Sequence, residues 1–334
     1  MKTQKDFQHS PENAFNESGE NQVPLPVLAI VIPCYNEEEI IEDSHQRLAA
    51  LLDDLIFRKE VNSGSFLLFV SDGSTDKTFS YIKANASCHV KGLRLSSNVG
   101  HQNALLAGMH YVTNKADCIV SIDADLQDDI GIIGEMLRLY RVGIRIVYGV
   151  RKMRHSDTYF KRFSAQIFYR MMRLMGVRLL YNHSDFRLVS NSVLTELRKY
   201  KEVNLFLRGI FPMMGFSSAE IYYDRLERTG GKTKYPLRKM IHLAVNGITS
   251  FSNAPLKLIT WLGLVIFTIS LIMSGWAILV IIRGRNIPGW ASITLPIYLL
   301  GGVQLLALGI LGEYISKIYL ETKQRPNYHI EEMV

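Results

Sequence analysis

Short apolar runs broken by polar turns set the frame of this chain. Val27 to Ile32 is continuous and β-branched, the pattern of a strand buried on both faces. Phe66 to Val70, Gly92 to Ser96, Ile119 to Ile122 and Ile144 to Tyr148 repeat it, and Phe186 to Val189 is strand-like too. Helical spacing fills the gaps, from Ile40 to Leu55, from near Lys77, and from Ala104 to Val112. Strands alternating with helices predict a doubly wound α/β sheet, with polar residues at the C-terminal end of each strand. Pro33 has no N–H for a ladder and is expected to close the first strand. Gly73 is expected to permit a tight turn. Ser74, Thr75 or Asp76 is expected to cap the helix that follows.

The pattern changes towards the C-terminus. Residues 258–282 and 291–311 carry no charge. Each stretch exceeds the roughly 20 apolar residues that cross about 30 Å of hydrocarbon. A polar turn, Arg283 to Gly289, separates them, so a transmembrane helical hairpin is expected. Trp261, Trp290 and Tyr314 fall near its ends, where interfacial aromatics belong. Before it, Leu237, Met240, Ile241, Ala244, Val245, Ile248 and Phe251 follow helical spacing, with Arg238, Lys239 and His242 off the stripe. An amphipathic helix over 236–253 is the expectation; it reads also as an ordinary helix packed on the catalytic domain, and its adjacency to the apolar stretches favours the membrane interface.

Composition adjusts this picture in three places. The 334 residues carry a formal net charge of +7 and 48% hydrophobic residues, enough for one large domain with extras. Residues 1–24 are polar and expected to be a disordered tail, with no apolar core of a secretory signal. Both termini are therefore expected to be cytoplasmic. Cys34, Cys88 and Cys118 form neither a metal spacing nor an even set, so reduced thiols are expected. The positive excess gathers at Arg225, Arg228, Lys232, Lys234, Arg238, Lys239 and Lys257, just before the apolar segment. That placement favours anionic lipid or a phosphate-bearing ligand. No helix-turn-helix, zinc finger or RNA-binding pattern is present, so no nucleic-acid partner is expected.

The chemistry concentrates where Ile119, Val120 and Ile122 run into Asp123, Ala124, Asp125, Leu126, Gln127, Asp128 and Asp129. Residues two apart at a strand end point the same way, so Asp123 and Asp125 can face one pocket. Two adjacent carboxylates repel unless a cation lies between them, and a hard divalent ion completed by substrate phosphate fits Mg²⁺ or Mn²⁺. Read alone, the tripeptide is equally a solvated acidic loop. No Gly-x-Gly-x-x-Gly follows the first strand, and Gly231-Lys232-Thr233 lacks the upstream glycine of a phosphate loop.

Four successive segments, Ile32 to Glu37, Ser71 to Asp76, Asn98 to Ala104 and Asp123 to Asp128, together resemble the signatures of family-2 glycosyltransferases with the glycosyltransferase-A fold. Tyr148 to Arg151, Ser184 to Leu188, Asn204 to Gly209 and Arg228 to Lys239 extend the likeness to polyprenyl-phosphate sugar transferases. The nearest group is the bactoprenol (undecaprenyl-phosphate) glucosyltransferases, with dolichyl-phosphate mannose synthases as relatives. The resemblance runs from about Leu28 to Tyr328. Thr233 stands where the family usually has Ser, which keeps the hydroxyl.

Together with the apolar pattern, this divides the chain into an expected catalytic domain over 25–235, an interfacial region over 236–256, two transmembrane helices within 257–320 and a cytoplasmic tail over 321–334. The resemblance itself covers the chain to about Tyr328. It implies nucleotide-sugar contacts from Pro33, Tyr35, Glu37, Asp72, Asp123, Ala124, Arg151 and Arg162. Asp125, Gln127 and Asp123 would hold the metal. Asp125, Asp185, Arg228 and Lys234 would serve catalysis, with Asp185 either orienting the acceptor or paired with Arg187. Asp72 reads equally as a local helix cap, and His101, His183 and Asn98 read as structural. The implied reaction inverts the anomeric carbon, moving one sugar from a UDP donor to undecaprenyl phosphate at the membrane. Glucose is the expected sugar, with N-acetylglucosamine or a modified arabinose as alternatives. A processive synthase would carry Gln-x-x-Arg-Trp, absent here. A non-catalytic nucleotide-sugar binder would not need the acidic set, and a flippase would need charges inside its spans. Gly301, Gly302, Gly309 and Gly312 suit close helix packing and a homo-oligomer.

Overall fold

The computed structural model describes residues 24–152, 183–202, 207–224, 254–283 and 290–334. Arg162, Arg228, Lys234, the tail before residue 24 and the helix expected over 236–253 lie outside the described residues.

Eight strands form one mixed sheet. β1 (Leu28–Cys34), β2 (Phe66–Ser71), β3 (Val90–Leu95) and β4 (Cys118–Ser121) are parallel, in the order β3-β2-β1-β4. β6 (His183–Ser190) pairs antiparallel with β4 and with β5 (Ile146–Arg151), and β7 (Ser218–Tyr223) pairs parallel with β5. The chain steps outward from β1 to β3, then returns to place β4 on the other side of β1. A crevice opens beyond the carboxyl ends of strands at such a reversal, and this is where an open α/β sheet binds ligands.

Both faces are covered, as the unbroken apolar strands require. α1 (Ile41–Phe57), α2 (Thr78–Ala84) and α4 (Ile133–Arg141) bury Leu48, Leu52, Phe79, Ile82, Met136 and Leu137 against one face. α3 (His101–Val112), α5 (Asn191–Leu197) and α6 (Leu207–Met213) bury Leu105, Leu106, Met109, Val193 and Phe211 against the other.

Two expectations at strand ends need correction. β1 does not close at Pro33; it continues to Cys34, with Pro33 opposite Val70. The missing N–H causes no loss because β4 pairs with β1 only as far as Val31, so Pro33 faces the side where the ladder has ended. β5 runs from Ile146 to Arg151, later than expected, and carries Arg151 to the sheet edge.

The C-terminal segment differs more. α7 (Ala254–Ile282) and α8 (Trp290–Lys323) are in contact. Among the described residues, Val303–Lys323 is long and apolar enough to cross a membrane by length and composition. The last residues, expected as a plain tail, instead form β8 (Ile330–Met333), antiparallel to the free edge of β3. Val334 N donates to Gly92 O at 3.0 Å and Gly92 N to Val334 O at 2.8 Å. Lys83 pairs with Glu332 at 2.5 Å and Arg94 with Glu331 at 3.3 Å. Tyr328 Oη lies 2.8 Å from His110 Nδ1. Four residues without a period give no strand signal; the unpaired N–H and C=O groups of β3 recruit them.

Two outcomes follow from this docked strand. A Cβ added at Gly92 would lie 2.6 Å from Ile82 Cγ2 and 2.8 Å from Val334 Cγ2. Gly92→Val is therefore expected to destabilise the domain by about 1–3 kcal/mol, with faster hydrogen exchange in β8, read by denaturation and exchange mass spectrometry. Burial, helped by the Arg198 charge, pushes the His110 pKa down to about 4 from 6.5. A depressed histidine is neutral in the fold, so its contribution is complete above pH 6.5 and declines as pH falls towards 4. The melting temperature should drop between pH 7 and pH 5, and His110→Phe should flatten that dependence.

Candidate functional site

The loops after β1, β2, β3 and β4 meet at one edge and hold one another in place. Asn36, with φ 53°, accepts from Thr75 N at 2.9 Å through Oδ1, while its own N donates to Ser74 Oγ at 3.2 Å. Glu37 N donates to Thr78 Oγ1 at 2.9 Å. Lys77 N donates to Glu38 at 3.1 Å, and Glu38 N to Asp76 at 3.1 Å. Gly73 has φ 63°, and a Cβ there would come within 2.4 Å of the Ser97 backbone, so this turn must touch the next loop. Asp72, almost fully buried, accepts from Val99 N at 2.8 Å and Gly100 N at 2.9 Å. Its carboxylate thus binds the loop leading into α3 rather than capping the helix after its own strand. Asp76, in contrast, bonds locally, accepting from Thr78 N at 3.0 Å just ahead of the helix, whose N-cap position is Lys77.

The acidic stretch after β4 shows the expected alternation. Ala124 and Leu126 are buried, and Asp123 and Asp125 turn the other way, partly exposed. Leu126 N donates back to Asp123 O at 3.2 Å, and Leu126 takes φ 41°, a left-handed conformation costly for leucine. Burial of its side chain and the short bond from Ser44 Oγ on α1 to Ala124 O hold the turn. Gln127 Nε2 donates to Asp125 at 2.8 Å. Burial, opposed by His101 and reinforced by the charges of Asp185, Asp128 and Asp125, raises the Asp123 pKa. A carboxylate crowded by like charges is stabilised by a cation, so Asp123, Asp125 and the Gln127 amide oxygen fit a hard divalent ion. Among the described residues no three His, Cys, Asp or Glu side chains form a complete cage. Substrate oxygens would have to finish the shell.

Asp185 stands opposite Asp123, since the β4–β6 register pairs Ser121 with Arg187. It is buried and meets several donors. Arg187, fully buried, forms an ion pair with it; Arg208 Nε and Nη2 donate at 3.2 and 2.9 Å; Gln102 Nε2 donates at 3.3 Å. His101 Nε2 lies 3.5 Å from both Asp185 and Asp123, joining the two acids. Burial alone would raise the Asp185 pKa, but Arg187, His101 and Arg208 hold it well below the usual range. His101 is correspondingly raised: burial opposes its charge, and the Asp185 bond and Asp123 outweigh that.

Arg151 is not free to meet a ligand with its whole fork. Its Nε donates to Asp128 Oδ1 at 2.9 Å and its Nη2 to Oδ2 at 3.2 Å, while Tyr223 Oη donates to Asp128 Oδ1 at 2.7 Å. Pro33 is buried at the end of β1, Tyr35 is exposed, and Glu37 is half-buried between them and α1. The structure thus gathers Pro33, Tyr35, Glu37, Asp72, Asp123, Ala124, Asp125, Gln127, Arg151 and Asp185 along the carboxyl edge of the sheet. His101, read from sequence as structural, bridges the two acids. Gln102, Asp128, Arg208 and Tyr223 carry no local sequence signal of these contacts, although Gln102, Asp128 and Arg208 stand inside segments that carry the resemblance.

Residues 29–198 match the family described as glycosyl transferase family 2. An uncharacterized glycosyltransferase of Bacillus subtilis, YkoT, is 51% identical over 92% of this chain and 91% of its own. A prophage bactoprenol glucosyl transferase homolog of Escherichia coli is 36% identical, over 91% of this chain and 98% of its own. The bactoprenol glucosyl transferase of Shigella phage SfX has the same identity and coverage.

Asp128 anchors Arg151 and Tyr223 behind the site. Asp128→Asn is expected to cost about 1–3 kcal/mol by leaving a half-buried guanidinium with a poorer partner, and Tyr223→Phe about 1 kcal/mol. Urea denaturation of the two variants checks the order.

Proposed function

Since the chain belongs to glycosyl transferase family 2, is a glycosyltransferase and resembles bactoprenol glucosyl transferases, we propose that it moves glucose from UDP-glucose to undecaprenyl phosphate at the cytoplasmic face of the plasma membrane. The observation that carries this reading is the outward pair Asp123 and Asp125 at the sheet's reversal point, facing the cationic cluster around Asp185. Asp125, Gln127 and Asp123 would hold Mg²⁺ or Mn²⁺, which would supply Lewis-acid neutralisation of the departing diphosphate.

The chain's own residues place the reactants. Asp72 fixes the loop before α3, Pro33, Tyr35 and Glu37 form the nucleoside side, and Ala124 supports the sugar side of the turn. Arg151, clamped by Asp128, presents only its outer edge to the diphosphate. Arg228 and Lys234 are assigned to phosphate by the motif that holds them, and Arg162 by the family resemblance. An oxygen of the acceptor phosphate bonds to the anomeric carbon while the carbon–oxygen bond to the diphosphate breaks, its electron pair leaving with UDP. The attacking oxygen is already deprotonated, so no proton moves and no general base is needed; placement and charge stabilisation carry the rate. Asp185 accepts from two guanidiniums and a glutamine and is the orienting anion of this site, not its base. Attack opposite the leaving group inverts the anomeric centre, and one sugar is transferred per encounter.

The lipid acceptor is favoured by α7 and α8. Trp261, Ile272, Trp276, Ile293 and Leu305 stand exposed on them, an apolar surface that water does not stabilise and a bilayer would cover. We place both helices in the membrane as a hairpin, the catalytic domain and both termini in the cytoplasm, and the 236–253 segment in the interface. The glycines of α8 suit a homo-oligomer.

Membranes containing the protein, given labelled UDP-sugars and undecaprenyl phosphate, are expected to form labelled lipid with UDP-glucose. EDTA should abolish it, and Asp125→Ala should lower the rate by at least about 100-fold. No labelled lipid with any donor overturns the reading; labelled lipid only from UDP-N-acetylglucosamine overturns the sugar.

A further inference from the structure

Asp185 has more cations than one carboxylate neutralises. Arg187 is fully buried, ion-paired to it and stacked 4.9 Å from the centre of the Phe211 ring, so it cannot leave. Arg208 is the second cation, and its surroundings differ. Its side chain is 39% exposed, against 5% for Asp185 and 0% for Arg187. It meets Asp185 through one edge, Nε and Nη2, and no hydrogen bond among the described residues uses Nη1. The start of α6 is fixed at this spot because Leu207 N donates to Gln102 Oε1 at 3.3 Å, while the same amide donates to Asp185. Across His101 lies Asp123, whose negative charge, after that of Asp185, also favours the Arg208 cation. A divalent ion on Asp123 and Asp125 would remove that second offset and leave a held, partly exposed guanidinium with excess positive charge.

We infer that Arg208 binds the phosphate of the lipid acceptor, with Asp185 as the residue that aims it. This rests on the reaction proposed above. There the donor diphosphate lies with the metal carboxylates, and the second anion must approach from the other side of the sugar, where a preorganised fork is worth more than a mobile lysine. Arg187 supplies the charge balance that lets Asp185 hold Arg208 without consuming it.

The test uses the full chain in detergent with a short-chain polyprenyl phosphate, and follows direct binding as well as transfer. Arg208→Ala and Arg208→Gln should weaken binding of the polyprenyl phosphate by about tenfold or more, leave UDP-glucose affinity in the presence of Mn²⁺ within about twofold, and raise the acceptor KM. Arg208→Lys should fall between, since a point charge cannot fork. Inorganic phosphate should compete with the acceptor in the wild type and lose that effect in the variants. Melting curves identify any variant that fails to fold, and the remaining substitutions then carry the comparison. Unchanged polyprenyl-phosphate binding in a folded variant overturns the inference, as does a loss confined to UDP-glucose, which would assign Arg208 to the donor. Wild-type protein that binds the lipid phosphate but transfers no sugar would overturn the proposed reaction while leaving the Arg208 assignment standing. Wild-type protein that binds no lipid phosphate would overturn both.

Discussion

A buried carboxylate stays charged only if donors surround it. Asp72, Asp128 and Asp185 are all buried at the same sheet edge, and each is met by a different kind of donor. Asp72 takes two backbone N–H groups, Asp128 an arginine and a tyrosine, Asp185 two arginines, a glutamine and a histidine. Each set ties together parts of the chain that are far apart in sequence. Once those three are committed, Asp123 and Asp125 are the acids left facing outward after β4. The division between acids that build the site and acids that serve it follows from which ones the fold buries.

The sheet topology makes this possible. Parallel strands end on the same side, so the loops after β1, β2, β3 and β4 share one edge, and antiparallel β6 begins there. Close approach then turns loops into a frame: Gly73 against Ser97, Asn36 against Thr75, Ser44 against Ala124. The left-handed turn at Leu126 persists because its side chain is anchored in the core beneath. Much of what these signature segments do in this chain is therefore loop-to-loop bonding, with the outward acids as the exception.

The opposite edge has a different task. β8 closes β3 with backbone bonds, two ion pairs and the Tyr328–His110 contact. It follows the end of α8 by only a few residues, so the long apolar helix is tethered to the catalytic sheet at its far edge. That tether limits how far the sheet can move from α8, and it covers an edge that would otherwise invite pairing with another chain.

Read alone, the sequence determined most strands, the helices between them, the outward pairing of Asp123 with Asp125 and the two long apolar stretches. Each of these rests on a period or a run, and periodicity is a local property of the backbone. Tertiary structure decided the rest. Tyr223 reaches Asp128 from 95 residues away, Arg208 reaches Asp185 across a separation of 23, and β8 pairs with β3 from the other end of the chain. No local pattern records which arginine is buried with its carboxylate and which keeps an open edge. The burial of Arg187 and the exposure of Arg208 arise only when β6 is sandwiched between β4 and β5 and α6 is laid across its start, because desolvation depends on every neighbour at once.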